Sequence, residues 1–128
     1  MRFLLDTHTF LWFSAADPNL SSTAYGLIAD PTNQPLLSAG SLWEIAIKVS
    51  LGKLQLGQPF EMLIPQQLQS IGIQVLPITV EHLTQVSILP FHHRDPFDRL
   101  FIAQAIFEQI PIVGRDSAFD DYSIARIW

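Results

Sequence analysis

The sequence has no cysteine among its 128 residues, and only 15% of those residues are charged. The lack of cysteine excludes a disulfide scaffold, a zinc–thiolate site and a thiol nucleophile. Long apolar runs are missing too, because proline, glycine or a charge interrupts each one far short of the ~20 residues that a membrane helix needs. The amino terminus resembles neither a signal peptide nor a lipidation motif. We therefore expect a cytoplasmic protein with no membrane attachment.

Basic residues are scarce, with seven lysines and arginines against twelve acids, and the formal net charge is −5. This balance argues against a preformed basic surface that holds nucleic acid by charge alone. Apolar residues, in contrast, make up 48% of the chain and include nine phenylalanines and three tryptophans. That content predicts one sizeable core rather than disorder, and the length predicts a single domain over residues 1–128.

Short apolar runs typical of strands alternate with longer helical patterns. Strands are predicted over Arg2–Leu5, Leu36–Ala39, Gln74–Pro77, Ile110–Val113 and Ser123–Ile127. Helices are predicted over Thr7–Ala15, Ser22–Ala29, Ser41–Val49, two pieces across Phe60–Ile71 with Pro65 opening the second, Thr79–Ile88, Pro96–Glu108 and a short turn at Ser117–Asp121. Alternation of this kind predicts an α/β fold with a mostly parallel sheet and helices on both faces.

Four acids fall where ligands bind in such folds. Asp6 and Asp116 each follow an apolar strand, and Glu44 and Asp98 are predicted in the first turn of a helix. The ligand crevice of an open α/β sheet lies at the carboxyl ends of its strands. In a parallel sheet, all four side chains can therefore project toward one end of the molecule.

Carboxylates that converge in a crevice repel one another unless some are protonated or a cation joins them. Oxygen ligands without cysteine suit a hard divalent ion, Mg²⁺ or Mn²⁺. Such ions bind a few carboxylates together with substrate phosphates, and a pair of them can activate a water and stabilise the leaving oxygen. The pattern therefore favours phosphodiester or phosphoryl chemistry.

Helix capping is the structural alternative for each acid. Glu44 follows Ser41 by three positions, which matches a capping box, and Asp98 follows Asp95 by three with Pro96 between them. The acids at the two strand ends could be simple N-caps, since negative charge suits the start of a helix. The two roles are compatible, because Asp95 could cap while Asp98 coordinates.

Four segments that contain these acids resemble the acidic blocks of PIN domains, and more narrowly VapC-type toxins of bacterial type II toxin–antitoxin systems. The segments, in chain order, are Phe3–His8, Ser41–Lys48, His93–Ala105 and Gly114–Phe119. The resemblance implies a three-layer α/β/α sandwich and a Mg²⁺- or Mn²⁺-dependent endoribonuclease that cleaves RNA with a metal-activated water. It also implies a homodimer and a small cognate antitoxin that inserts a segment near the active site.

Carried over by position, the resemblance assigns the catalytic and metal-binding roles to Asp6, Glu44, Asp98 and Asp116, with Asp120 as a candidate accessory ligand. From their positions beside these acids, we expect accessory roles for Asp95, Arg99, Arg115 and His8. Gly114 departs from the family pattern, which often has serine or threonine two positions before the fourth acid. The missing hydroxyl motivates an alternative: a catalytically weak or inactive PIN-fold interaction module. A phosphoryl-transfer domain is disfavoured, because His8 stands where a haloacid-dehalogenase-type phosphatase has a second aspartate.

Three arginines, Arg94, Arg99 and Arg115, each flank a proposed acid. They either bind phosphate through the guanidinium fork or pair locally with Asp95, Asp98 or Asp120.

The remaining polar candidates are histidines and one lysine. His8 is expected to have a structural or supporting role, and His92 and His93 either contact RNA or lie in a solvated loop. Lys48 is placed to pair with Glu44 at i,i+4 or to neutralise the crevice.

Overall fold

In the computed structural model, which describes every residue from Met1 to Trp128, strands and helices alternate along the chain. The strands are β1 (Arg2–Leu5), β2 (Gln34–Ser38), β3 (Gln74–Leu76), β4 (Ile112–Val113) and β5 (Arg126–Ile127). The helices are α1 (Thr7–Ser14), α2 (Ser22–Ala29), α3 (Ala39–Ser50), α4 (Phe60–Ile71), α5 (Val80–Ile88) and α6 (Pro96–Glu108), with a 3-10 helix at Ser117–Asp121. No helix is both long enough and apolar enough to span a membrane.

The five strands form one parallel sheet in the order β3-β2-β1-β4-β5. Because side chains alternate along a strand, Phe3 and Leu5 enter one core with residues of α1 to α4. Leu4 enters a second core on the other face, with residues of α6 and the 3-10 helix. The predicted α/β/α sandwich with a parallel sheet is therefore confirmed.

Strand β1 lies between β2 and β4, which gives the sheet a switch point. The chain leaves β1 toward β2 and β3, and returns on the other side of β1 as β4. The backbone N–H of Asp6 donates to the carbonyl of Val113 at 3.0 Å, so the ends of β1 and β4 are held together. A crevice opens at such a point, between connections that leave in opposite directions. Asp6 and Asp116 follow the two strands that border it.

Helix α3 begins earlier than the sequence indicates. It starts at Ala39, and the Ser38 hydroxyl accepts a hydrogen bond from the Gly40 N–H at 3.0 Å. The predicted capping box of Ser41 with Glu44 is therefore wrong, and Glu44 lies in the second turn rather than the first. The chain passes from β2 into α3 without a loop, so the last strand residue is already the cap.

Helix α4 is continuous, so the prediction of two pieces is also wrong. Pro65 lies inside the helix, where its missing N–H leaves the carbonyl of Glu61 without an intrahelical partner. Both residues are exposed, and water can bind that carbonyl. The predicted bounds of β1, α2, α6 and the 3-10 helix are confirmed, whereas β4 and β5 are shorter than predicted.

Candidate active site at the carboxyl edge of the sheet

Five carboxylates from separate parts of the chain line one crevice of about 110 Å³. The four acids predicted as metal ligands, Asp6, Glu44, Asp98 and Asp116, are brought together there, and Asp95 joins them. Lys48, His8 and Phe119 complete the lining, so a single lysine faces five acids. We call this group of residues the acid crevice.

Asp6 occupies the N-cap position of α1, yet its side chain makes no capping hydrogen bond. Its carboxylate is buried, with the whole residue 6% exposed. The His8 Nδ1 atom lies 3.6 Å from Asp6 Oδ2, and this contact raises the pKa of His8 above its usual value. Capping therefore does not explain Asp6, and its oxygens remain available to a ligand in the crevice.

The carboxylate of Glu44 is held at both oxygens. The Thr7 hydroxyl lies 2.7 Å from Oε1, and the Lys48 ammonium lies 2.9 Å from Oε2. Thr7 is also 2.9 Å from the Ser41 hydroxyl, which can donate to Thr7 while Thr7 donates to Glu44. The expected i,i+4 pairing of Lys48 is confirmed. Sequence reasoning missed Thr7 and Ser41, although their positions directly after Asp6 and one turn before Glu44 point to them.

Of the two acids at the start of α6, Asp95 caps the helix and Asp98 does not. Asp95 Oδ1 accepts the backbone N–H groups of Phe97 and Asp98 at 2.9 and 3.0 Å, which confirms Asp95 as the N-cap of α6. Asp98 points into the crevice, where burial and, to a smaller degree, the negative charges of Asp95, Asp6, Glu44 and Asp116 together raise its pKa to about 7. The carboxylates that cap no helix therefore lie close together in the crevice.

Asp116 uses one oxygen to cap the 3-10 helix, through the Ala118 N–H at 2.9 Å. Its other oxygen, Oδ2, lies 3.8 Å from the Nε2 atom of His93, and the side chain is about half exposed. The capping role of Asp116 is therefore confirmed, and its second oxygen is not used by that cap.

His93 belongs to the site, which sequence reasoning did not foresee. Its Nε2 atom lies 3.0 Å from Asp98 Oδ2, and one ligand atom each from His93, Asp98 and Asp116 fall within 4.8 Å of one another. The Nδ1 atom accepts the Asp95 N–H at 3.3 Å, so a neutral ring carries its proton on Nε2. Nε2 is shielded from water and not well aligned for a hydrogen bond. Its contact with Asp98 is therefore mainly electrostatic.

Arg99 contacts no carboxylate, so its expected pairing with a nearby acid is wrong, and it does not line the acid crevice. It is buried and donates to the carbonyls of Pro90 and Leu89 at 2.9 and 3.1 Å, with longer contacts to Val86 and His93. The loop between α5 and α6 wraps around its guanidinium. Arg99 therefore shapes the segment that carries His93.

Asp120 and Arg115 lie outside the acid crevice. Both oxygens of Asp120 pair with Arg126 at 2.9 and 3.0 Å, which lowers the pKa of Asp120, and no observation supports its role as an accessory ligand. Arg115 is exposed and contacts the Trp12 ring and Asn19 rather than a carboxylate.

The donor set fits a hard divalent cation. Five carboxylates and one lysine leave an excess of negative charge in a small crevice, and burial together with that excess raises the pKa of Asp98. Carboxylate oxygens are the ligands that Mg²⁺ and Mn²⁺ prefer. Asp6 and Asp98 supply oxygens that no backbone N–H occupies, and Asp116 supplies one.

Comparison with known proteins assigns the family. A protein-family model described as PIN domain matches residues 3–125. Ribonuclease VapC16 of Mycobacterium tuberculosis (strain ATCC 25618 / H37Rv) is 39% identical over 56 residues, which cover 44% of this chain and 38% of that protein. The match thus spans well under half of that relative's length.

Solved structures share the whole fold. VapBC2 from Rickettsia felis, bound to a DNA fragment from its promoter, contains a chain with a TM-score of 0.76 and 17% identity, over 99% of this chain and 98% of that one. FitAcB from Neisseria gonorrhoeae gives a TM-score of 0.66 at 19% identity, over 100% and 97%. VapBC-1 from nontypeable Haemophilus influenzae gives 0.64 at 16%, over 99% and 97%. Identities this low bear on the fold alone, whereas the family model, which matches nearly the whole chain, shows that this chain belongs to the PIN-domain family.

Proposed function

We propose that this chain is a Mg²⁺- or Mn²⁺-dependent endoribonuclease and the toxin of a cytoplasmic toxin–antitoxin pair. The observation that carries the proposal is the meeting of Asp6, Glu44, Asp98 and Asp116 at the switch point of the sheet. The family match and the likeness to a curated ribonuclease support the reaction class.

The chain's own residues would hold the cation and position the substrate around it. Asp6, Asp98 and Asp116 offer free oxygens, while Thr7 and Lys48 fix the orientation of Glu44. A bound divalent cation supplies an activated water and stabilises the charge that develops on phosphate. Asp98 has to lose its proton before it can act as a ligand, so metal binding should tighten as the pH rises through its pKa of about 7.

The acidic net charge is compatible with an RNA substrate in this arrangement. The four proposed ligands carry four of the five net negative charges, so the rest of the chain is close to neutral. Repulsion of RNA is then concentrated at the crevice and should fall when cations bind there. We expect RNA affinity to rise steeply with Mn²⁺, and equal affinity with and without metal would contradict this.

A cleavage assay separates the enzyme from an inactive interaction module. Wild-type chain, Asp6→Asn and Asp98→Asn are incubated with single-stranded and structured RNA plus Mn²⁺. Asp121→Asn is the matched control, because Asp121 is exposed and does not line the crevice. We expect cleavage by the wild type and by Asp121→Asn only, and none in excess EDTA.

Two results would contradict the proposed enzyme. Cleavage that persists in EDTA or in Asp98→Asn would exclude the metal mechanism. RNA binding without any cleavage by the wild type would favour the interaction module, for which Gly114 is the motivation. Gly114 itself leaves room for Asp6, because a Cβ at position 114 would lie 3.1 Å from Asp6 Cβ.

The partners we propose are a small antitoxin and a second copy of the chain. Similar chains were solved within VapBC complexes, which supports the antitoxin. The apolar residues Val80, Leu83 and Ile88 are exposed on α5, and they offer a surface to a second copy. Light scattering should give the mass of a dimer, which Ile88→Glu should reduce by half. Co-expression of the small gene beside this one should relieve growth inhibition by the wild type.

A further inference from the structure

A second cavity opens directly beside the acid crevice. It has a volume of about 360 Å³ and is lined by Asp6, His8, Trp12, Arg115 and Asp116. Asp6 and Asp116 also line the acid crevice, so the two spaces share a wall. The volume lies within the roughly 300–1,000 Å³ that is usual for small-molecule sites. A group held in this cavity would therefore lie next to a substrate bond in the crevice.

Arg115 provides positive charge in this cavity without a carboxylate partner. Two other basic residues, in contrast, pair with acids: Arg126 with Asp120, and Lys48 with Glu44. Arg115 instead places its guanidinium carbon 4.8 Å from the Trp12 ring centroid and one nitrogen 3.4 Å from Asn19 Oδ1. Most of its N–H donors thus remain free, and a guanidinium fork matches the oxygens of a phosphate.

Trp12 provides an aromatic surface that its neighbours hold in place. Its ring lies 5.7 Å from the His8 ring and 5.9 Å from the Trp128 ring, and the residue is half-buried on α1. Unstacked RNA bases bind to aromatic rings and to the planes of arginine side chains. The cavity therefore combines a phosphate donor with a stacking surface.

We propose that the cavity lined by Arg115 and Trp12 is a nucleotide subsite, which holds the phosphate and base next to the scissile bond of the RNA. This inference rests on the proposed function, because it takes the acid crevice as the cleavage site. Arg115 offsets the repulsion that the neighbouring carboxylates exert on the RNA backbone. Trp12 contributes affinity with little sequence preference, because every base has an aromatic face.

Binding of a fluorescent single-stranded RNA of mixed sequence, with Mn²⁺ present, tests the subsite. It is measured by anisotropy in an Asp98→Asn background, so that the RNA stays intact. Arg115→Gln should weaken binding about 10-fold at low salt, and should lower the slope of log affinity against log salt by about 0.7. Arg115→Lys should keep the slope but bind more weakly than arginine, since it keeps the charge without the planar fork.

Arg2→Gln is the matched control, because it removes the same charge at the amino end of β1, on the opposite edge of the sheet. It should leave affinity almost unchanged. Equal weakening by Arg2→Gln and Arg115→Gln, or no weakening by either, would overturn the subsite. Trp12→Leu should weaken binding about 10-fold with a retained thermal transition. If that variant does not fold, the arginine variants still decide.

Steady-state cleavage kinetics in the wild-type background test the subsite independently of the binding assay. Arg115→Gln should raise KM about 10-fold more than it lowers kcat. The reason is that Arg115 binds the RNA at a phosphate next to the one that reacts, and not at the reacting phosphate itself. An unchanged KM would overturn the subsite. Absence of cleavage by the wild type would instead overturn the proposed function, and the binding comparison would still decide whether the cavity holds RNA.

Discussion

Replacement of Asp98 by asparagine should stabilise the metal-free protein at alkaline pH. In the folded chain, burial together with the nearby charges of Asp95, Asp6 and Glu44 raises the pKa of Asp98 from 3.8 to about 7. Above that pH, the ionised carboxylate of Asp98 lies close to other carboxylates that repel it. Asparagine has nearly the same shape and no charge, so it removes the repulsion without opening a cavity.

The size of the effect follows from the pKa change. A rise from 3.8 to about 7 corresponds to roughly 4 kcal/mol at about 1.4 kcal/mol per unit. The Asp98 side chain is 21% exposed and solvent screens its neighbours, so we reduce this to about 2 kcal/mol. Because the pKa is raised on folding, the wild type keeps full stability below 3.8 and loses it as the pH rises through about 7.

Urea unfolding in excess EDTA, at about pH 4 and about pH 8, measures this difference. Asp98→Asn should exceed the wild type by about 2 kcal/mol at the higher pH, or roughly 8 °C in Tm, and by far less at the lower pH. Asp121→Asn removes the same charge from an exposed position and should show no such gain. An equal gain at both pH values, or in the control, would refute the reasoning. Added Mn²⁺ should stabilise the wild type more than the variant.

Three further substitutions around the site, with Gly26→Ala as a comparison, test the packing by urea unfolding. Arg99→Lys should cost about 2 kcal/mol, because a lysine keeps the charge but cannot reach the carbonyls that surround the guanidinium. Gly40→Ala should cost about 1–2 kcal/mol, since its Cβ would lie 2.5 Å from a buried leucine side chain, whereas Gly26→Ala, in open space on α2, should gain about 0.5–1 kcal/mol. Thr7→Val should cost about 1–3 kcal/mol, because one oxygen of the buried Glu44 loses its donor; no loss would show that water replaces it.

Local chemistry explains the features that sequence reasoning predicted well. Helix α6 begins at Pro96 and ends at Glu108 as predicted, because Asp95 and Pro96 are strong start signals within one turn. Strand β1 and the position of Asp6 are also predicted from local signals, because a short apolar run ends there at a charged residue. Such signals depend only on residues a few positions apart.

Features that depend on distant contacts were missed or misjudged. The contact of His93 with Asp116 depends on how α6 packs against β4, which no pattern near position 93 reveals. The contacts of Arg99 depend on how the loop before α6 folds over that helix. The start of α3 was misjudged because Ser41 and Glu44 match a capping box, while Ser38 at the end of β2 caps the helix instead.

The sequence by itself determined which residue types stand at the strand ends and helix starts, and hence the α/β class and the four candidate ligands. The tertiary structure alone decided that these ligands share one crevice, because the strand order β3-β2-β1-β4-β5 places the ends of β1 and β4 together although over a hundred residues separate them. It also decided which carboxylate oxygens are free and which basic residues have no acidic partner. Those properties arise from contacts between distant segments, which spacing along the chain does not encode.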